Sequence, residues 1–183
     1  MKRKESQKPV QPPLRFSYQR ASVLDVPLIF NLMQEGAEAG SFSDAFVERR
    51  GSVKLLFFVL RSVLRQRFQF GKAKARYEWL VIELPDGEAV GFLKLTKGIG
   101  ACLDRNLELL AICSAYRNKG IGSKVLEHVA SEVPDGARLF VHCTKYARAM
   151  QHILKRHQMK RNVKFRVPRL EEYQSDWSAL SQH

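Results

Sequence analysis

Gly120 and Gly122 stand two apart in the run Arg117-Asn118-Lys119-Gly120-Ile121-Gly122-Ser123-Lys124. An apolar strand is expected over residues 107–112, and Ser123-Lys124-Val125-Leu126 opens a helix. A two-glycine turn at that junction leaves the first N–H groups of the helix without internal partners. Those donors, with the positive end of the helix dipole, suit a phosphate. Arg117, Lys119 and Lys124 add cationic side chains around the same spot, as a pyrophosphate requires.

Two further residues could move protons. Glu108 is a carboxylate inside an otherwise apolar strand, and two-residue alternation puts it on the face of Leu110 and Ile112. Burial would raise its pKa toward that of a useful base, while the other reading is an ion pair with a basic neighbour on an adjacent strand. His142, near the end of a later strand, is either a second candidate base or a hydrogen-bonded structural residue. The cysteines Cys102, Cys113 and Cys143 are odd in number and lack the C-x-x-C spacing, so neither a disulfide framework nor a metal site is expected. They read as small core hydrophobes in a reducing compartment.

The elements that must position these residues follow in the order β-α-α-β-β-β-α-β-α-β. A first strand is expected over 14–19, then Ser22 and Asp25 as a capping box for a helix that buries Val26, Ile29, Phe30 and Met33. A second helix is expected over 52–68, with Leu55, Leu56, Val59, Leu60, Val63 and Leu64 at helical spacing. Phe57 and Phe58 widen its apolar arc. Such a helix is buried, paired with a second subunit, or laid on a membrane surface, and simple burial is the first expectation. Strands over 79–83 and 88–95 flank Pro85-Asp86-Gly87, a hairpin signal. Pro134-Asp135-Gly136 leads into a strand over 138–143, and a helix over 146–157 buries Ala147, Met150, Ile153 and Leu154. Val163, Phe165 and Val167 alternate with Lys164 and Arg166 as a final half-buried strand.

A chain of 183 residues, 45% hydrophobic, suffices for one domain with a proper core. Residues 1–13 read as a flexible basic tail, 14–170 as the domain and 171–183 as a C-terminal tail. No apolar run reaches the roughly 20 residues of a membrane span, and the charged N-terminus lacks a signal-peptide core, so a cytoplasmic location is expected. The net charge of +13 points to anionic partners or to solvated basic faces.

The order of elements and the glycine turn together resemble the GNAT superfamily of N-acetyltransferases. Its strand-to-helix turn reads Arg/Gln-x-x-Gly-x-Gly/Ala, and Arg117, Gly120 and Gly122 fill the three defining places. Leu109-Leu110-Ala111-Ile112 and Tyr116 match the usual run into that turn. The resemblance covers residues 14–167 and is specific over 107–126. It implies an α/β (α+β) fold with a mixed, mostly antiparallel sheet of six to seven strands flanked by helices. It also implies acetyl-CoA as co-substrate, no metal, and an amine acceptor, small molecule or protein. The backbone from Asn118 through Lys119, Gly120, Ile121 and Gly122 to Ser123 would hold the pyrophosphate. Leu110 and Ile112 would pair with the pantetheine arm, and the Ile112 N–H would face the thioester carbonyl, where negative charge develops.

The chain departs from the family pattern downstream. Gln158-Met159 occupies the usual Gly-Phe place, and Leu154 stands where a thiolate-protonating Tyr is expected. Tyr146 lies two turns too early. A catalytically weak CoA-binding regulatory module is therefore one alternative to an active N-acetyltransferase. An RNA- or ribosome-associated protein is another, on the charge and the basic run 155–169, although aromatics are sparse there. A homodimer through the 52–68 helix is a further expectation. The acceptor side would lie near residues 34–46, where Glu35, Glu38, Phe42 and Asp44 either line it or belong to a solvated loop, the loop being the first expectation.

Overall fold

Among the described residues seven strands run in the order β1-β2-β3-β4-β5-β7-β6 across one sheet, and of these only the β4–β5 pair is parallel. The computed structural model describes residues 15–42, 49–67, 75–98, 103–163 and 170–175. The strands are β1 (Ser17–Arg20), β2 (Ala75–Glu83), β3 (Ala89–Gly98), β4 (Arg105–Ile112), β5 (Leu139–Thr144), β6 (Lys160–Arg161) and β7 (Leu170–Gln174). The helices are α1 (Val26–Glu38), α2 (Arg49–Arg67), α3 (Ile121–Ser131) and α4 (Arg148–Arg156). This is the mixed, mostly antiparallel architecture expected.

Two apolar layers cover the two faces. Ile29, Met33, Leu55, Val59 and Val63 of α1 and α2 pack on Trp79, Val81 and Phe92. On the other face Val125, Leu126, Val129 and Leu154 of α3 and α4 pack on Leu93, Leu107, Leu139 and Val141. The Ser22–Asp25 capping box forms, with Ser22 N–H donating to Asp25 Oδ2 at 2.7 Å. The hairpin turn closes as its sequence dictates, with Gly87 at φ +85°, a conformation that disfavours a Cβ. Buried Gln66 joins α2 to the sheet by accepting from Trp79 N–H at 2.6 Å and donating to the Ala21 carbonyl at 2.8 Å.

Three expectations are corrected. The C-terminal tail assigned to 171–183 includes β7, which pairs with both β5 and β6 and buries Tyr173. Its two glutamates disguise it in the sequence. They are accommodated because Arg161 pairs with Glu171 at 3.0 Å and His142 with Glu172 at 2.9 Å. The strand expected over 163–167 does not include Val163, which lies in a turn, and 164–169 fall outside the described residues, as do 1–13. Simple burial of the second helix is only half met. Phe57 and Phe58 remain 66% and 48% exposed because α2 covers the sheet with one side alone.

Candidate functional site

The cleft begins where β4 and β5 part. They pair from Arg105–Leu139 to Leu107–Val141, yet β4 continues to Ile112 and β5 to Thr144. On its other side β4 stays paired with β3 as far as Gly91–Ile112, and Cys113 N–H donates to the Val90 carbonyl at 2.9 Å. Antiparallel ladders alternate, so that bond turns the N–H and C=O groups of Leu110 and Ile112 away from β3 and into the gap. The Ile112 carbonyl accepts from Arg117 Nε at 2.9 Å.

A bulge in β4 decides which side chains face which layer. Lys94 pairs with Leu109 but Leu95 pairs with Leu107, leaving Glu108 as the extra residue. Leu107, Leu110 and Ile112 therefore join the α3/α4 layer, whereas Leu109, Ala111 and Cys113 join the α1/α2 layer. Glu108 bonds Lys94 and Thr96, on the α1/α2 side. This corrects its expected place on the face of Leu110 and Ile112, since simple alternation fails at a bulge.

The chemistry expected of Glu108 changes with its surroundings. Burial pushes its pKa up, but the hydrogen bonds from Lys94 and Thr96 and the Lys94 charge outweigh that and hold it below the usual carboxylate value. The ion pair expected from the sequence describes its environment, and the pKa raised by burial is overturned. His142 has both ring nitrogens engaged: Nε2 with Glu172 Oε2 at 2.9 Å and Nδ1 with Asn106 Nδ2 at 3.3 Å. Such a ring is held in orientation and has no bare nitrogen to offer.

The turn before α3 is built from two left-handed residues, Asn118 at φ +62° and Gly120 at φ +79°. Gly120 is the N-cap, and no side chain caps the helix, so its leading N–H groups face outward. Gly122 packs against α4: a Cβ there would stand 2.9 Å from Ile153 Cδ1, the mobile end of a side chain that can give way. Ile121 is buried beneath the turn and anchors it, while Asn118 and Lys119 are exposed.

The cations around the turn are anchored. Arg117 reaches Glu35 of α1 at 2.8 Å as well as the Ile112 carbonyl, so it braces the turn instead of standing over it. Lys119 Nζ lies 4.8 Å from the Tyr116 ring centroid, and Tyr116 Oη donates to Glu88 at 2.5 Å. Lys124 Nζ sits 5.9 Å from the Phe16 ring centroid. Thr144 ends β5 by donating to the Gly40 carbonyl at 3.0 Å, which ties the end of α1 to the cleft rim. Leu154, at the place of the expected Tyr, is fully buried against the sheet. Asp44 and Cys102 lie outside the described residues. Among the described residues no His, Cys, Asp and Glu group could hold a metal ion.

The sequence anticipated a basic partner for Glu108 on an adjacent strand but did not identify Lys94 or Thr96, and it missed the Glu172–His142–Asn106 chain. A lysine at alternate spacing in the Leu93-Lys94-Leu95 run was the available signal for the first. Nothing local marks the second, because it joins three strands far apart in the chain.

Solved structures share this architecture. The chain is similar to an acetyltransferase from Thermus thermophilus, with a TM-score of 0.64 and 21% identity over 89% of this chain and 97% of that one. It is also similar to the PaiA N-acetyltransferase of Thermoplasma acidophilum in complex with coenzyme A (TM-score 0.61, 18% identity, 88% and 99% covered). A spermidine N-acetyltransferase SpeG chimera from Vibrio cholerae and hSSAT superposes with a TM-score of 0.64 at 13% identity, covering 92% and 99%. No curated protein sequence matches the chain. The model of the acetyltransferase (GNAT) family matches residues 53–158. That match takes in more than half of the chain and both strands of the cleft, and on it the protein belongs to the GNAT family of acetyltransferases.

Proposed function

We propose that the protein is an acetyl-CoA-dependent N-acetyltransferase that passes the acetyl group directly to a primary amine. The observation that carries this reading is the uncapped N-terminus of α3 behind the Asn118–Gly120 turn, opening beside the gap between β4 and β5. The residues present fit a pyrophosphate-bearing donor. Backbone N–H groups from Asn118 to Ser123 would hold the pyrophosphate, with Lys119 and Lys124 beside them and Arg117 keeping the turn in shape. Leu110 and Ile112 turn their backbone groups into the gap, where an extended chain could add as a strand. The donor supplies an activated thioester carbonyl.

The chain's own contribution is then placement and electrostatics. The Ile112 N–H, turned into the gap, would stabilise negative charge growing on a thioester carbonyl oxygen laid there, and the Ile112 carbonyl is held by Arg117. Glu108, kept ionised and engaged at both oxygens by Lys94 and Thr96, is poorly suited to taking a proton from an incoming ammonium. His142, fixed by Glu172 and Asn106, is a positioning residue of the sheet. A thiol leaving group with an ordinary pKa near 8.5 tolerates the absence of a dedicated acid.

One observation favours a second reading, a CoA-binding module with weak turnover: Leu154 is packed in the core where an acid is expected. Isothermal titration with acetyl-CoA, followed by thiol release across a panel of amines, separates the readings. Donor binding with thiol release supports the transferase, and binding without release on any amine supports the module. Absence of heat on titration would sink both.

A further inference from the structure

The outer side of α2 carries two parallel stripes. Val53, Phe57, Leu60 and Leu64 recur at spacings of four, three and four, with Leu60 half-buried against the core at the stripe's edge, and so do Lys54, Phe58, Arg61 and Arg65. The inner side, Leu55, Val59 and Val63, is buried with Ser62 and Gln66. Outside, Val53 is 58% and Phe57 66% exposed, with Leu56, Phe58 and Leu64 also exposed. A monomer has no packing reason to hold this many large apolar side chains in water along one ridge.

The charge of the region identifies what would cover the ridge. From residue 49 to 76 the chain holds nine basic residues and no Asp or Glu. A second copy of the same helix would bring like charges together across an apolar seam, and no acidic residue in the helix could offset them. An anionic lipid surface matches both stripes at once: its phosphates meet the basic stripe, and its headgroup–acyl boundary accepts the apolar one. No described helix is long and apolar enough to cross a membrane, so the contact lies in the surface plane.

We propose that the outer face of α2 docks the protein on anionic phospholipid bilayers, through Phe57 and Leu64 inserted at the boundary and Lys54, Arg61 and Arg65 on the phosphates. This surface is separate from the donor turn, so the inference does not depend on the transferase reading.

Vesicle flotation with the full-length protein tests it, using phosphatidylcholine alone and equal parts phosphatidylcholine and phosphatidylglycerol. Binding should be about tenfold or more tighter on the mixed vesicles and should weaken as salt is raised. Phe57→Ser should reduce it about tenfold, and Arg61→Glu with Arg65→Glu should abolish it. Circular dichroism melting checks that each variant stays folded, and Leu64→Gln reads the same stripe should Phe57→Ser melt early. Equal binding to both vesicles, or none, overturns the proposal. So does binding to mixed vesicles that neither Phe57→Ser nor Leu64→Gln weakens, because charge alone would then explain it. A dimer in sedimentation, or an RNA complex, that Phe57→Ser dissolves would assign the face to that partner and overturn it equally.

Discussion

Lys94 of β3 and Glu108 of the β4 bulge form an ion pair whose lysine head lies 5.7 Å from the ring centroids of both Tyr77 and Trp79. The lysine side chain is 15% exposed and the glutamate 30%. The pair stands among aromatic rings on the α1/α2 side of the sheet, and Thr96 completes the carboxylate's shell. The carboxylate expected to act as a base is thus neutralised by a residue of its own sheet.

Removing the lysine leaves an uncompensated, half-buried carboxylate. Lys94→Met should destabilise the fold by about 1–2 kcal/mol, below the range for fully buried pairs because solvent still reaches the glutamate. Chemical denaturation at neutral pH measures this. Equal stability of Lys94→Met and the parent would show that the pair contributes nothing.

Acid should act on the same pair with a defined sign. The folded Glu108 carboxyl titrates below its ordinary value of 4.5, so its stabilisation is full above that pH and is lost as pH falls through the folded value. Glu108→Gln should therefore be less stable than the parent at neutral pH, with the gap closing below about pH 4.5. Melting curves from neutral pH to acid check this, and a gap that widened in acid would reverse the assignment.

Gly91 makes a backbone approach that leaves no room for a side chain. A Cβ there would lie 2.4 Å from the Ala111 carbonyl oxygen and 2.9 Å from Ile112 Cδ1, and a backbone oxygen cannot swing aside as a side chain can. Gly91→Ala should cost about 1–3 kcal/mol, or roughly 2–12 °C in melting temperature, and should disturb the strand that lines the cleft. Gly120→Ala, by contrast, meets open space and suffers only the left-handed φ of +79°. Its expected cost is about 1–2 kcal/mol. Melting temperatures of the two variants rank the two causes, and Gly91→Ala melting no lower than the parent would refute the clash.

Installing the expected acid should fail. Leu154→Tyr places a phenol where a fully buried leucine packs beneath α4, so about 1–3 kcal/mol of stability should be lost with no rise in thiol release. A more active Leu154→Tyr would mean that this position reaches the cleft.

Thiol labelling should follow burial. Cys143 is buried, and burial with the nearby Glu171 charge pushes its thiol up to about 12. Cys113, only partly buried, is raised as well, by burial first and then by Glu35. Iodoacetamide should modify Cys113 about tenfold or more faster than Cys143 in the native protein. Peptide mapping by mass spectrometry reads both rates, and equal rates would contradict the packing around Cys143.

The order of elements as far as α4, the glycine turn and the hairpin were legible because each rests on local chemistry. Gly120 must take a left-handed φ, Pro85-Asp86-Gly87 must turn, and the apolar spacing of Val26, Ile29 and Met33 must bury one helix face. Strand β7 was not legible, because its glutamates look solvated until Arg161 and His142 arrive from neighbouring strands. The face of Glu108 was hidden as well, since a bulge is set by pairing with β3 and reverses an alternation that the sequence alone presents as unbroken. The roles of Arg117 and Leu154 were also decided only in three dimensions, by Glu35 reaching from α1 and by α4 pressing onto the sheet. Local conformational preference thus determined the turn and most of the elements. Long-range pairing of charges and strands, which no sequence window contains, decided what stands around them.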